Sequence, residues 1–377
     1  MTYIHQRPDW PTFTWHAESL MPALIAIHHR QGRLLGRMEA LGFAVRAEAS
    51  LAMLTQDVVK SSAIEGEQLD PEEVRSSIAR RLGIDVGGLP AARRHVDGIV
   101  EMMLDATQGY EAPLTAERLF AWHAALFPTG RSGLRRITAG AWRPQEAGAM
   151  QVVSGPYGRE RVHFEAPEAS RLAAEMAVCL AWFNSPAALD PILRAGIAHL
   201  WFVTIHPFED VNGRIARAIA DMALARADGC RERFYSMSSQ IEAERKDYYA
   251  ALERQQRGPL DITDWLRWFL DCLGRAMAAA ETALSAVLAK ARMWEWINRG
   301  SVNDRQRRVI NRLLDGFTGS LSTGKYAKLA KCSNDTALRD IQGLLEQRIL
   351  IQNPGGGRST NYRLAQPEDI GASTAWS

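Results

Sequence analysis

Little in this chain points outside the ordinary interior of a cell. Its four cysteines, Cys179, Cys230, Cys272 and Cys332, are scattered, with no two at metal-ligand spacing. Each lies in or beside an apolar helical pattern, so buried thiols are expected, with neither a disulfide framework nor a zinc site. No uninterrupted apolar run is long enough to cross a bilayer. The start, MTYIHQRPDW, lacks the basic and apolar segments of a secretory signal, so a cytoplasmic location with no membrane partner is expected. Repeats and low-complexity tracts are missing, and lysine is scarce: Lys60, Lys246, Lys290, Lys325, Lys328 and Lys331 are the whole set. The basic residues are therefore mostly arginine, and the net charge of +2 names no partner for the chain as a whole.

Strand-like alternation is rare too, which leaves a helical reading nearly throughout. The 377 residues, 46% hydrophobic and 23% charged, suffice for two or three domains with real cores. Apolar residues recur at three- and four-residue spacings across 17–68, as in Leu20, Leu24 and Ile27, then Leu51, Leu54 and Val58. Asp70-Pro71-Glu72-Glu73 reads as an N-cap, a first-position proline and an acidic first turn. Residues 82–90 read as a glycine-punctuated loop, and helices resume over 96–104 and 116–126. A β-hairpin is expected around 151–164, where Gln151-Val152-Val153 and Arg161-Val162-His163-Phe164 flank a Gly/Pro turn. Helices follow over 167–183, 191–204, 212–227 and 264–296.

From 304 to 364 the pattern changes. Helices over 305–314, 323–330 and 334–347 precede two short strands joined by a Pro-Gly-Gly-Gly-Arg tip, which reads as a helix–turn–helix with a wing. Between 301 and 365 eleven basic residues face five acidic ones, so DNA is a candidate partner there. Asn334, Thr336 and Arg339 would open the recognition helix, and Arg358 would tip the wing. Gly319 to Lys325 imitates a phosphate loop, but Tyr326 stands where Ser or Thr is needed and no strand precedes it.

The chemistry concentrates in His206-Pro207-Phe208-Glu209-Asp210-Val211-Asn212-Gly213-Arg214-Ile215-Ala216-Arg217. A helix ends near Thr204, proline blocks its continuation, and a new helix opens near Asn212. The free N–H groups of that helix start make an anion site, and Gly213 lets a phosphate approach the backbone. Arg214 and Arg217 share the first turn and can clasp further phosphate oxygens. Asp210 can bring magnesium to those phosphates. His206, at the other end of the loop, can take a proton from an attacking hydroxyl.

His-Pro-Phe-x-Asp-x-Asn-Gly-Arg-x-x-Arg resembles the signature of Fic proteins, which transfer AMP from ATP to Ser, Thr or Tyr hydroxyls. The runs from Phe234 to Ile241, Asp247 to Leu252 and Asp261 to Leu270 are similar to that family as well. The resemblance implies an all-α Fic fold, a helical core with a β-hairpin flap, plus a C-terminal winged helix-turn-helix domain. It divides the chain into an N-terminal helical region with an inhibitory helix (1–110), a catalytic core (111–275), a helical linker (276–300), a winged helix (301–365) and a tail (366–377). It makes His206 the general base and Asp210 the ligand of Mg2+. ATP would meet Asn212 and Gly213 at the α-phosphate, Arg214 on the β side and Arg217 at the γ-phosphate, with Tyr248 or Tyr249 bordering the adenosine or serving as core aromatics. Where the family carries glycine this chain has Val211, which tolerates positive φ poorly, so a strained or shifted loop is expected.

Ser61-Ser62-Ala63-Ile64-Glu65-Gly66 resembles the family's inhibitory motif. Ser61 and Glu65, four apart, share a helix face. The resemblance implies that Glu65 pairs with Arg217 and occupies the place of the γ-phosphate. The flap at 150–164 would present a target protein's hydroxyl by strand addition. Removal of AMP with help from Glu65, a winged-helix transcription regulator with a nucleotide-sensing core, and assembly as a homodimer stay open at this level.

Overall fold

The computed structural model describes residues 2–84, 92–148, 150–155, 158–186, 189–298, 300–314, 317, 319–354, 360–366 and 369. The loop expected at 82–90 falls largely outside them, as do the wing-tip residue Arg358 and most of the tail. The chain divides into two compact units, Met1–Glu281 and Thr282–Ser377.

In the first unit, α1 (Ala17–Glu39), α2 (Phe43–Ile64), α3 (Pro71–Leu82) and α4 (Arg94–Gln108) precede α5 (Ala116–Leu126). Two antiparallel hairpins follow, β1 (Arg131–Ser132) with β2 (Arg135–Arg136), and β3 (Gln151–Ser154) with β4 (Arg161–Glu165). Then come α6 (Leu172–Asn184), α7 (Pro191–Ile205), α8 (Asn212–Asp228), α9 (Met237–Ala243), α10 (Arg245–Gln256) and the first part of α11 (Thr263–Ile297), which continues past Glu281.

The helix starts obey capping chemistry. Asp70 accepts from Glu72 N at 2.8 Å ahead of Pro71, and Asp190 accepts from Ile192 N at 2.8 Å ahead of Pro191. α7 is the centre of the unit: every residue from Ile192 to Ile205 is buried, so it is covered on every side rather than along one stripe. α8 packs along it, with Ile215, Ile219 and Met222 at or below 2% exposure. The polar face of α8 is also covered. Buried Arg233 reaches Asp221 at 3.0 Å and Asp228 at 3.3 Å, and Tyr235 donates to Asp228 at 2.9 Å.

One expected boundary moves. The helix foreseen over 167–183 begins only at Leu172, after a single 3₁₀ turn, Ala169–Arg171. The carbonyl of Pro167 is taken by the Arg143 guanidinium instead of an advancing helix.

The second unit holds α12 (Asp304–Leu314), α13 (Thr323–Ala330), α14 (Asn334–Glu346) and an antiparallel pair, β5 (Leu350–Gln352) with β6 (Tyr362–Leu364). Its own core gathers Val309, Ile310, Tyr326, Ile341, Leu344 and Leu350. Ser322 and Ser333 cap α13 and α14 by accepting from Lys325 N and Thr336 N. Tyr326 is fully buried there, so the phosphate-loop look-alike before it is ordinary helix-start sequence. Among the described residues no helix is long and apolar enough to cross a membrane.

Candidate active site

The loop 206–211 joins the two most buried helices, and its ends are held in unusual backbone conformations. His206 ends α7 at φ 52°, ψ 57°, and Val211 starts α8 at φ 59°, ψ 14°. Both are left-handed, at a cost of about 1–3 kcal/mol each for residues other than glycine. The strain expected of a valine at 211 is therefore in place.

Two anchors hold the loop against that strain. Phe208 is fully buried, stacked on His123 with ring centroids 4.3 Å apart and packed by Trp142 at 5.0 Å. Asn212, 2% exposed, accepts from Phe208 N at 2.9 Å and donates to Phe208 O at 2.8 Å. Its side chain is thus spent on the loop, and what it can offer a phosphate is its backbone N–H.

Arg143, 3% exposed, braces the other end. Its Nε donates to His206 O at 3.0 Å, and its backbone N donates to Pro207 O at 2.9 Å. With its carbonyl fixed, the His206 ring turns Nδ1 to Val203 O at 3.2 Å. A carbonyl only accepts, so Nδ1 carries the proton and Nε2 holds the lone pair. Burial pushes the His206 pKa down to about 4, the nearby Arg143 charge adding to it, while the Val203 bond, Glu65 and Asp210 oppose. The imidazole is neutral at pH 7, the state a base requires.

His206, Asp210, Val211, Asn212, Gly213 and Arg214 line one cavity of about 580 Å³, and Glu65 and Glu67 line it too. Arg217 lies beneath, 2% exposed, with Nη1 2.8 Å from Glu65 Oε1. Its Nε donates to Ser61 Oγ and its Nη2 to Ser61 O, each at 2.9 Å. A Cβ built on Gly213 would fall 2.3 Å from Glu65 Oε1, so glycine here admits the carboxylate against the helix start. The carboxylate sits where a helix N-terminus holds an anion.

Asp210 accepts from Val211 N at 2.7 Å and from the Ser132 hydroxyl. Among the described carboxylates lining the cavity it is the one without an arginine partner: Glu65 meets Arg217, Glu67 meets Arg214 and Glu209 meets Arg135. No group of three or more His, Cys, Asp or Glu side chains among the described residues could hold a metal by itself. A lone carboxylate beside a helix start that can take an anion would nonetheless suit magnesium, which takes one or two carboxylates and fills its octahedron with phosphate oxygens and water.

The hairpin expected at the cavity is there. Met150, Gln151 and Val152 line it. β4 is tied to α10, since Arg257 donates to His163 O at 3.0 Å and Val162 O at 2.8 Å, and Arg161 meets Glu253 at 2.8 Å. β3 pairs only with β4 among the described strands, which leaves its other edge unpaired.

The tyrosines part company. Tyr248 is 1% exposed and bonded to His199 Nε2 at 2.9 Å, a core aromatic. Tyr249 is 38% exposed, and its hydroxyl reaches Ile64 O at 3.3 Å and Glu65 Oε2 at 3.4 Å. Neither is among the described lining residues. Sequence reasoning missed Arg143, Ser132 and Glu67. The first two carry no local signal, whereas Glu67 could have been suspected as a second carboxylate one residue beyond Gly66.

Residues 113–224 match the Fic/DOC family, and residues 3–84 match a domain of unknown function, DUF4172. Protein adenylyltransferase fic-1 of Caenorhabditis briggsae is 33% identical over 128 residues, 33% of this chain and 23% of that protein. Protein adenylyltransferase Fic of Drosophila sechellia is 23% identical over 271 residues, 69% of this chain and 46% of that protein. The chain thus spans less than half the length of these relatives. A Fic-domain-containing signalling protein from Bacteroides thetaiotaomicron superposes with a TM-score of 0.50 at 19% identity, over 68% of this chain and 95% of that one. The predominantly helical fold is accordingly that of Fic-domain proteins.

Proposed function

We propose that this protein is an adenylyltransferase that moves AMP from ATP to a Ser, Thr or Tyr hydroxyl of a target protein, held off by its own Glu65. The observation that carries the reading is a neutral imidazole and an anion-binding helix start facing one cavity, with an unpaired strand edge at its rim. The two curated relatives, each named a protein adenylyltransferase, support it.

In this reading the target segment pairs with the free edge of β3, which sets its hydroxyl beside His206. The hydroxyl oxygen attacks the α-phosphorus, Nε2 of His206 takes the proton, and the bond to the β-phosphate bridging oxygen breaks. The products are a phosphodiester-linked AMP on the target and pyrophosphate. The backbone N–H groups of Asn212 and Gly213 hold the α-phosphate, Arg214 the β side and Arg217 the γ-phosphate. Asp210 would hold magnesium, which when bound neutralises charge building on the phosphate oxygens. Most of the catalytic demand is positioning and charge, supplied by a loop already fixed by Phe208, Asn212 and Arg143.

With Glu65 on Arg217, the γ-phosphate loses its seat and ATP settles with its α-phosphorus out of line. Incubating wild type, Glu65→Gly and His206→Ala with α-labelled ATP and magnesium tests this. Label on protein should rise at least about tenfold in Glu65→Gly and vanish in His206→Ala. Folded Glu65→Gly protein that gains no label removes the inhibitory role, and label in His206→Ala removes the base.

In the same reading the second unit is a winged helix and duplex DNA is its candidate partner. Lys325 and Lys328 on α13, Lys331 just beyond it and Arg339 on α14 are exposed. Binding should then weaken steeply with salt in a fluorescence titration of duplex DNA; a flat response removes DNA from the proposal. The four free thiols fit a cytoplasmic location.

A further inference from the structure

The turn after α2 carries two carboxylates to the start of α8. Gly66 lies between them at φ 85°, a conformation that lets Glu65 and Glu67 both reach the cavity. Glu65 Oε1 lies 2.8 Å from Arg217 Nη1, and Glu67 Oε2 lies 2.6 Å from Arg214 Nη2. Each arginine that could clasp a phosphate has its own carboxylate.

The Arg214–Glu67 pair is not an ordinary surface contact. The Arg214 side chain is 12% exposed, and its Nε is buried with no hydrogen-bond partner among the described residues. Glu67 therefore satisfies one nitrogen of a guanidinium that retains an unused donor. A phosphate, with its several oxygens, can take both at once. The other oxygen of Glu67 lies 3.4 Å from Nε2 of His95 on α4, which also lines the cavity.

We propose that Glu67 is a specificity-determining residue: it competes with the β side of a bound nucleotide for Arg214, as Glu65 competes with the γ-phosphate for Arg217. This rests on the nucleotide-binding reading of the cavity. AMP, at the start of α8, meets Glu65 against Gly213 but leaves the Glu67 pair intact. ADP and ATP must displace Glu67 as well. The resting site thus separates AMP from ADP and ATP at Arg214, and relief of Glu65 alone leaves one barrier standing.

Titration calorimetry with AMP, ADP and ATP on the full chain tests this, using wild type, Glu67→Gln, Glu65→Gln and the double variant. Glu67→Gln should leave AMP affinity within about twofold and tighten ADP about tenfold, the worth of one charge-assisted contact. ATP should gain most in the double variant. Glu67→Asp, which keeps the charge but shortens the reach, should give an intermediate gain and guards against a folding defect in the amide variant. Unchanged ADP affinity in Glu67→Gln, or equal gains for AMP and ADP, overturns the role of Glu67 while the nucleotide reading stands. No AMP binding to any variant overturns the nucleotide reading itself, and this proposal with it.

Discussion

Replacing Glu65 by glutamine should make the protein less stable without nucleotide and more responsive to it. Arg217 is 2% exposed and Glu65 about one-third exposed. Removing one partner of a fully buried pair costs about 3–5 kcal/mol, because a charge is left without compensation. Two features reduce that here. Water reaches Glu65 from the cavity, and Arg217 keeps both bonds to Ser61, each 2.9 Å long. A loss of about 2 kcal/mol is therefore expected, a fall of roughly 3–5 °C in melting temperature for a unit of this size. Glutamine is preferred to glycine for the measurement, since glycine adds about 0.5–1 kcal/mol of backbone entropy that has nothing to do with the pair.

ATP should reverse the deficit, because its γ-phosphate returns a negative charge to Arg217. Ligand at 100 times its dissociation constant adds about 2.7 kcal/mol, so the saturated variant should match or exceed the wild type. Thermal unfolding of both proteins with and without ATP and magnesium gives the four numbers needed. Equal stability without nucleotide, together with equal shifts on adding it, would show that Arg217 does not depend on Glu65 and refute the reasoning.

Three further outcomes follow from named contacts. Val211→Gly relieves a left-handed valine, worth about 1–3 kcal/mol, against about 0.5–1 kcal/mol of added chain entropy. Urea unfolding should show unchanged or slightly higher stability, and a loss above about 1 kcal/mol would mean that the valine side chain matters more than its backbone. Gly213→Ala places a methyl on the phosphate's approach; in the Glu65→Gly background, which removes the carboxylate 2.3 Å from that methyl, it should still cut AMP transfer at least about tenfold. His206 and His123 titrate near 4 when folded, against 6.5 for an exposed imidazole, chiefly through burial. Their folded values are depressed, so the unfolded chain takes up more protons below pH 6.5. Stability should fall as pH drops from 6.5 towards 4, by up to about 1.4 kcal/mol per unit for each fully buried imidazole and less for His206, which opens onto the cavity. Transfer by the Glu65→Gly variant should hold level down to about pH 5 and then decline as His206 protonates; a midpoint near 6.5 would contradict its burial.

What could be read from the sequence was what lies close together along it. His206 to Arg217 is one stretch between two helices, so its loop, its helix start and the awkward Val211 were all foreseeable. Asp70-Pro71 marked a helix start by local chemistry alone. Partners across long separations left no trace. Glu67 reaches Arg214, Ser132 reaches Asp210 and Arg143 reaches His206 only because the helices bring them together. The β1–β2 hairpin was invisible for a different reason: its strands are two residues long, with no apolar alternation to announce them. Tyr248 and Tyr249 could not be sorted, since periodicity gives a helix face but not whether that face meets a core or a cavity.

The strained backbone and the arginine-paired carboxylates lie in different parts of the site, and this separates two classes of variant. Left-handed backbone at His206 and Val211 costs several kcal/mol together, and Phe208 with Asn212 offsets it through burial and two hydrogen bonds. Among the described residues, neither the hydrogen bonds of the Asn212 side chain nor the ring contacts of Phe208 involve Glu65, Glu67 or either arginine. The loop is therefore set independently of the carboxylates, which in the proposed reading govern only what occupies the arginines. Phe208→Ala should cost about 3–5 kcal/mol, since its ring is wholly enclosed by His123, Trp142, Phe120 and Phe202. Where the variant still folds, AMP transfer should stay lost in the Glu65→Gly background, because freeing the arginines does nothing for a misdirected imidazole. Recovery of transfer in Phe208→Ala/Glu65→Gly, measured beside its melting temperature, would mean that the loop is shaped by the nucleotide rather than by its aromatic anchor.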